Sequence, residues 1–131
     1  RGLGDVYKRQ LLHRAHGGQS EFVVSRMKRY IEDHAFERLR VAEVAAAASL
    51  SESRALHLFR EVTGQSVVDY LTDVRLSFAL DQMKYTDSTL EEIAESTGFG
   101  TYTYFHRVFK RKTGEAPGAY RQKYRREEAA L

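Results

Sequence analysis

The chain has no cysteine among its 131 residues, which excludes a disulfide frame, a thiolate metal site and a cysteine nucleophile together. Tryptophan is absent too, and there is one proline, Pro117. No apolar run approaches the roughly 20 residues that a membrane-spanning helix needs, and nothing reads as a secretory leader. The expected partners therefore do not include a membrane, and the expected compartment is the cytoplasm, at the nucleoid. H-E-x-x-H, a Cys–His pair and a phosphate loop are also missing. Gly98-Phe99-Gly100 holds the first half of a dinucleotide fingerprint, but Thr103 stands where the third glycine belongs and a helix precedes it. His57 and His106 have no ligand-spaced neighbours. The expectation is a protein that is not an enzyme, with no catalytic residue, no cofactor and no metal.

What is present is positive charge, unevenly placed. Residues 5–10, DVYKRQ, resemble the in-frame translation of a transposon mosaic-end adapter. Residues 1–10 are accordingly expected to be an assembly scar, with the natural protein beginning further upstream. Without Arg1, Lys8, Arg9 and Asp5 the formal charge falls from +3 to +1. Residues 101–126 carry eight Lys/Arg against Glu115 alone, or +7, while residues 11–100 carry ten positives and fourteen negatives, or −4. A basic C-terminal quarter on a slightly acidic remainder fits a protein that meets phosphate with one face.

The apolar residues recur at helical spacing throughout, and no stretch reads as a strand, so the fold expected is all-α. Residues 11–20, with Gly17-Gly18, read as a linker. Residues 21–34 form a helix with Phe22, Val23, Met27, Tyr30 and Ile31 as its stripe. Residues 41–48 give a short helix with Val44, Ala45 and Ala48 inward. Residues 51–63 give another, with Ala55, Leu58, Phe59 and Val62 on one side. Ser66, with Asp69 in capping-box position, opens a long helix to about Tyr85 through Val67, Leu71, Val74, Phe78 and Met83. Thr89 and Glu92 make a second capping box before a short helix to Thr97. Residues 98–114, GFGTYTYFHRVFKRKTG, follow as a helix with Phe105, Val108 and Phe109 on one face. Thr103, His106, Arg107 and Lys110 lie on the other. Pro117 suits the first position of a last helix to about Arg126, leaving residues 127–131 as a tail.

An internal repeat organises these elements. Glu43, Val44, Ala45, Ala48 and Leu50 match Glu92, Ile93, Ala94, Thr97 and Phe99 at an offset of 49. After the turn the offset is 50: Ser51, Ser53, Ala55, Leu58, Phe59, Gly64 and Tyr70 match Thr101, Thr103, Phe105, Val108, Phe109, Gly114 and Tyr120. Each copy is a short helix, a tight turn and a longer helix ending at glycine, the form of a helix-turn-helix. Two such subdomains, residues 21–65 and 86–126, are joined by a linker helix at 66–85. That helix would be about 30 Å long, close to the roughly 34 Å between successive major-groove faces on one side of B-DNA.

The second copy, IAESTGFGTYTYFHRVFKRKTGEAPGAYR, resembles the DNA-binding domain of the AraC/XylS family of bacterial transcription regulators. Leu50-Ser51, Leu58-Phe59-Arg60, Thr63-Gly64, Ser66, Tyr70-Leu71, Arg75-Leu76 and Ala79 carry the same likeness in the first copy and the linker. The resemblance implies sequence-specific binding of double-stranded promoter DNA by two recognition helices in adjacent major grooves, and contact with RNA polymerase. It also implies a small-molecule effector or dimerisation only through a separate upstream domain. The alternative is a helical protein- or RNA-binding module without sequence-specific DNA recognition. Five positions depart from the pattern: Arg40 in place of a cap, Ser49 where the second copy has Gly98, Ala55 opposite Phe105, Leu56 on the reading arc, and Ala116 before Pro117.

The free arc falls at the same relative positions in both copies. Ser53, Leu56, His57, Thr103, His106 and Arg107 are the candidates for reading bases. Arg107 suits a bidentate grip on guanine, with a phosphate contact as the alternative. Leu56 fits a thymine methyl, or is simply a surface leucine. Arg60, Lys110 and Arg111 are candidates for phosphate, as are Tyr102 and Tyr104 through their hydroxyls unless packing holds the rings. Residues 121–126, RQKYRR, either follow the DNA backbone or form a solvated terminal helix.

Overall fold

The computed structural model describes residues 2–131, with side chains from Gly18 onward. The described residues form seven helices and no strand: α1 (Gly2–Asp33), α2 (Val41–Ala47), α3 (Glu52–Thr63), α4 (Val67–Tyr85), α5 (Leu90–Ser96), α6 (Tyr102–Thr113) and α7 (Pro117–Ala130). The all-α expectation holds. The chain divides into two compact units, one built of α1 with Leu39–Asp69, the other of His34–Arg38 with Tyr70–Leu131.

In the first unit α1, α2 and α3 pack on one another. Val24, Met27 and Ile31 of α1, Val44 and Ala45 of α2, and Ala55, Leu58 and Phe59 of α3 are all buried. Their spacing turns one stripe of each helix inward. The Arg26 guanidinium donates to the Ala47 carbonyl at 3.0 Å, occupying one of the acceptors that the C-terminal end of α2 leaves open.

The second unit closes around Leu76, Ala79, Met83, Ile93, Ala94, Phe99, Phe105, Val108 and Phe109, with Tyr102 and Tyr120 packed at the edge. Phe105 meets Phe99 at 5.0 Å and Phe109 at 5.7 Å between ring centroids, and Phe109 meets Tyr120 edge-on at 5.5 Å. The rings thereby tie α6 to the preceding turn and to α7.

The duplication extends to individual hydrogen bonds. The turn amides of Leu50 and Phe99 donate to the carbonyls of Ala45 and Ala94 at 2.9 and 3.0 Å. Ser51 and Thr101 cap α3 and α6 by accepting from Arg54 and Tyr104 N–H, both at 3.2 Å. The Thr63 and Thr113 hydroxyls each donate to the carbonyl four residues back, lie 3.0 and 3.1 Å from the carbonyl two residues on, and accept from the amide two residues on. Gly64 and Gly114 then end α3 and α6 in the left-handed conformation.

The departures from the repeat have the expected local effects. Arg40 and Ala116 make no side-chain cap, whereas Thr89 and Glu92 form a complete capping box. Ser49 is the one positive-φ residue that is not glycine among those described, at φ 58°.

Several boundaries and facings differ from expectation. Residues 11–20 lie inside α1 rather than in an open linker; a glycine within a helix costs about 1 kcal/mol but keeps the hydrogen-bond ladder. The last helix continues to Ala130, so residues 127–130 are not a loose tail. Phe22, Val62 and Phe78 are exposed despite sitting at apolar positions of their helices. Phe78 instead meets Phe36 edge-on at 4.7 Å. Among the described residues no helix is long and apolar enough to cross a membrane, and no cluster of His, Asp or Glu is placed to hold a metal ion.

Candidate nucleic-acid interface

Burial of Phe105, Val108 and Phe109 fixes the rotation of α6 and leaves its other face in solvent. Thr103, Arg107, Lys110 and Arg111 are exposed there, and His106 is half-buried. Among the described residues no side-chain hydrogen bond or ion pair engages Arg107, Lys110 or Arg111, so their donors point to solvent unspent. Tyr102 is half-buried, its ring 6.4 Å from Phe105 and 5.9 Å from His106, edge-on to the imidazole. Packing thus takes much of the Tyr102 ring, and the same contact holds His106 against the helix. Tyr104 lies further out, 6.1 Å from Phe99.

The first unit offers the same arc in different chemistry. Ser53, Leu56, His57 and Arg60 are all exposed on α3. Leu56, His57 and Arg60 line a shallow hollow of about 330 Å³ together with Ser66. The His57 Nε2 lies 3.5 Å from a Glu61 carboxylate oxygen, a contact with no counterpart on α6, where Arg111 holds the position of Glu61.

The charges of the two arcs therefore diverge. The α6 helix carries Arg107, Lys110, Arg111 and Lys112 with no acid, or +4; α3 carries Arg54 and Arg60 against Glu52 and Glu61, or zero. Lys112 is partly neutralised by Asp73 at 3.1 Å. The α6 face is built to attract an anion. The α3 face is nearly neutral.

The basic run 121–126 divides into inward and outward groups. Arg121 turns inward: its guanidinium donates to the carbonyls of Met83 at 3.1 Å, Ser88 at 2.6 Å and Thr86 at 2.6 Å. Arg125 adds a bond to Thr86 at 3.0 Å, and Lys123 pairs with Glu115 at 3.5 Å. Desolvation lowers the pKa of Arg121, neighbouring Arg125 lowers it further, and Asp87 opposes both. Arg75 makes a similar clasp, donating to Ala35 at 2.6 Å and to Glu37 at 2.9 Å, and burial lowers its pKa as well. Each arginine closes the turn that precedes the first helix of a repeat. A planar fork of donors suits this bunching of carbonyls. Sequence reasoning missed the role, because the carbonyls that each arginine reaches lie 33 to 40 residues away.

Two copies of one helix-turn-helix, each with a buried stripe and an outward arc, define the class of protein. The comparisons agree. Residues 44–123 match the family described as a helix-turn-helix domain. Over 93 residues the chain is 39% identical to the arabinose operon regulatory protein of Escherichia coli (strain K12), covering 70% of this chain and 32% of that one. It is 36% identical over 107 residues to the HTH-type transcriptional activator Btr of Bacillus subtilis (strain 168), covering 82% and 20%. Among solved structures it resembles the DNA-binding domain of AdpA, a global transcriptional factor, in complex with a target DNA. There the TM-score is 0.75 at 27% identity, covering 79% of this chain and 94% of that one. The C-terminal domain of AraT, a response regulator from Geobacillus stearothermophilus, gives 0.74 at 29% identity, with 77% and 84% covered. The chain belongs to the AraC-type helix-turn-helix family. It spans about a third of the length of the first curated relatives it matches.

Proposed function

We propose that this chain binds double-stranded promoter DNA in a sequence-specific way and regulates transcription from it, placing α3 and α6 in adjacent major grooves. The observation that carries the reading is the repeated outward arc. Ser53, Leu56, His57 and Arg60 recur as Thr103, His106, Arg107 and Lys110 at an offset of 50, and core packing gives no reason for a basic residue to close each arc. The likeness to a domain solved on its target DNA supports it. On this reading Arg107 grips a base edge, Thr103 and Ser53 meet base edges or phosphates near the helix N-termini, and Arg60, Lys110 and Arg111 neutralise phosphate. The 19 residues of α4 span about 28 Å as a helix, a length compatible with successive grooves. Contact with RNA polymerase, and an effector acting through a further domain, belong to the proposal as what membership of the family implies.

Competition binding tests it. A duplex enriched by this chain from a randomised pool should outcompete random duplex by at least about 1,000-fold. Equal competition by random duplex would leave a helical module without sequence-specific DNA recognition.

A further inference from the structure

The two arcs differ most at one pair of positions, Leu56 and His106. In the second unit the preceding turn supplies Tyr102, whose ring stands edge-on to His106 at 5.9 Å and keeps it half-buried. The first unit has Glu52 in place of Tyr102, so position 56 has no ring to lean on. Leu56 accordingly stands 41% exposed, beside the open hollow it shares with His57, Arg60 and Ser66.

We infer that Leu56 reads a thymine, packing against its C5-methyl group in the major groove, and that the first unit selects sequence mainly through this apolar contact. The inference rests on the DNA-binding reading. Its occupant is set by what surrounds the side chain. Ser53 and Arg60 flank Leu56 on the same arc and supply donors for backbone or base oxygens, while the side chain itself has only methyl groups to offer. In the major groove the thymine methyl is the apolar group that distinguishes one base pair from the others. Charge argues the same way: α3 has no net positive charge, against +4 on α6, so the first reading helix draws less on phosphate than the second. His57 has its Nε2 turned to Glu61 at 3.5 Å, which leaves Leu56 as the prominent free contact.

The test starts from duplexes that this chain enriches from a randomised pool, with single thymines then replaced by uracil, which deletes one methyl and leaves pairing intact. One such replacement should weaken binding about fourfold, the factor that burying one methyl-sized group corresponds to. The same replacement should leave the affinity of Leu56→Ala unchanged. Leu56→Met, which keeps an apolar chain of similar volume, should retain the discrimination, and it guards against a folding defect in the alanine variant. Binding indifferent to every uracil, or equally sensitive in Leu56→Ala, overturns the Leu56 contact while the DNA-binding reading stands. A pool that shows no enrichment overturns both.

Discussion

The Nε of Arg75 lies 2.8 Å from where a Cβ on Gly98 would stand, and it donates to the Ala35 carbonyl, which would be 2.6 Å from that same Cβ. Gly98 also sits at φ 91°, so two independent constraints hold this position to glycine. Ser49, its counterpart, is exposed at φ 58° and shares only the left-handed backbone. Gly98→Ala should therefore destabilise the protein by about 2–4 kcal/mol, combining left-handed strain with overpacking. Ser49→Gly should stabilise it by about 0.5 kcal/mol, because relief of strain exceeds the extra entropy glycine loses on folding. Urea midpoints at constant slope decide both, and an alanine at position 98 that costs nothing would contradict the packing described.

Arg121 is expected to matter for stability more than for DNA. Replacing it with alanine strips the carbonyls of Met83 and Ser88 of this donor, and leaves Thr86 with Arg125 alone, between the end of α4 and the start of α5. We expect a loss of about 2 kcal/mol in urea unfolding, with lysine recovering less than half, since an ammonium lacks the planar fork. Affinity for DNA measured well below the unfolding midpoint should change little. A large affinity loss with unchanged stability would instead place Arg121 on the duplex.

Arg107 and its neighbours should separate in kind. Arg107→Ala is expected to lose about 1–3 kcal/mol of discrimination at one base pair. Lys110→Ala and Arg111→Ala should weaken all duplexes alike and reduce the salt slope of binding by about 1 each. Binding isotherms across a salt series, on matched and single-mismatch duplexes, distinguish the two behaviours.

Arg40 offers a gain rather than a loss. It occupies the N-cap of α2 in extended conformation without a capping bond, where the second unit has Thr89. Arg40→Ser should raise stability by about 1 kcal/mol, and thermal unfolding would reveal it. No change would mean that water already serves those amides adequately.

Most of the helical frame was legible in the sequence because its signals are short-range. The stripe of Phe105, Val108 and Phe109 predicts which face of α6 is buried, and the caps at Ser66 and Thr89 mark the starts of α4 and α5. The reading arc follows as the remainder of α6 once that face is inside. Phe78 and Val62 were not legible: apolar type and spacing put them inward, but a residue is buried only if another element arrives to cover it.

By itself the sequence determined the number and kind of elements, their duplication, and the rotation of each reading helix. Hydrophobic periodicity and capping act within a few residues of one another, so they survive without knowledge of the chain's path. Tertiary structure alone decided which cations remain available. Arg121 reaches carbonyls 33 to 38 residues away and Arg75 reaches 38 to 40, so neither side chain's charge is spent where its neighbours in sequence suggest. It also decided why Gly98 has to be glycine while Ser49 need not be, because the close approach of Arg75 and Ala35 exists only once the chain has come back on itself.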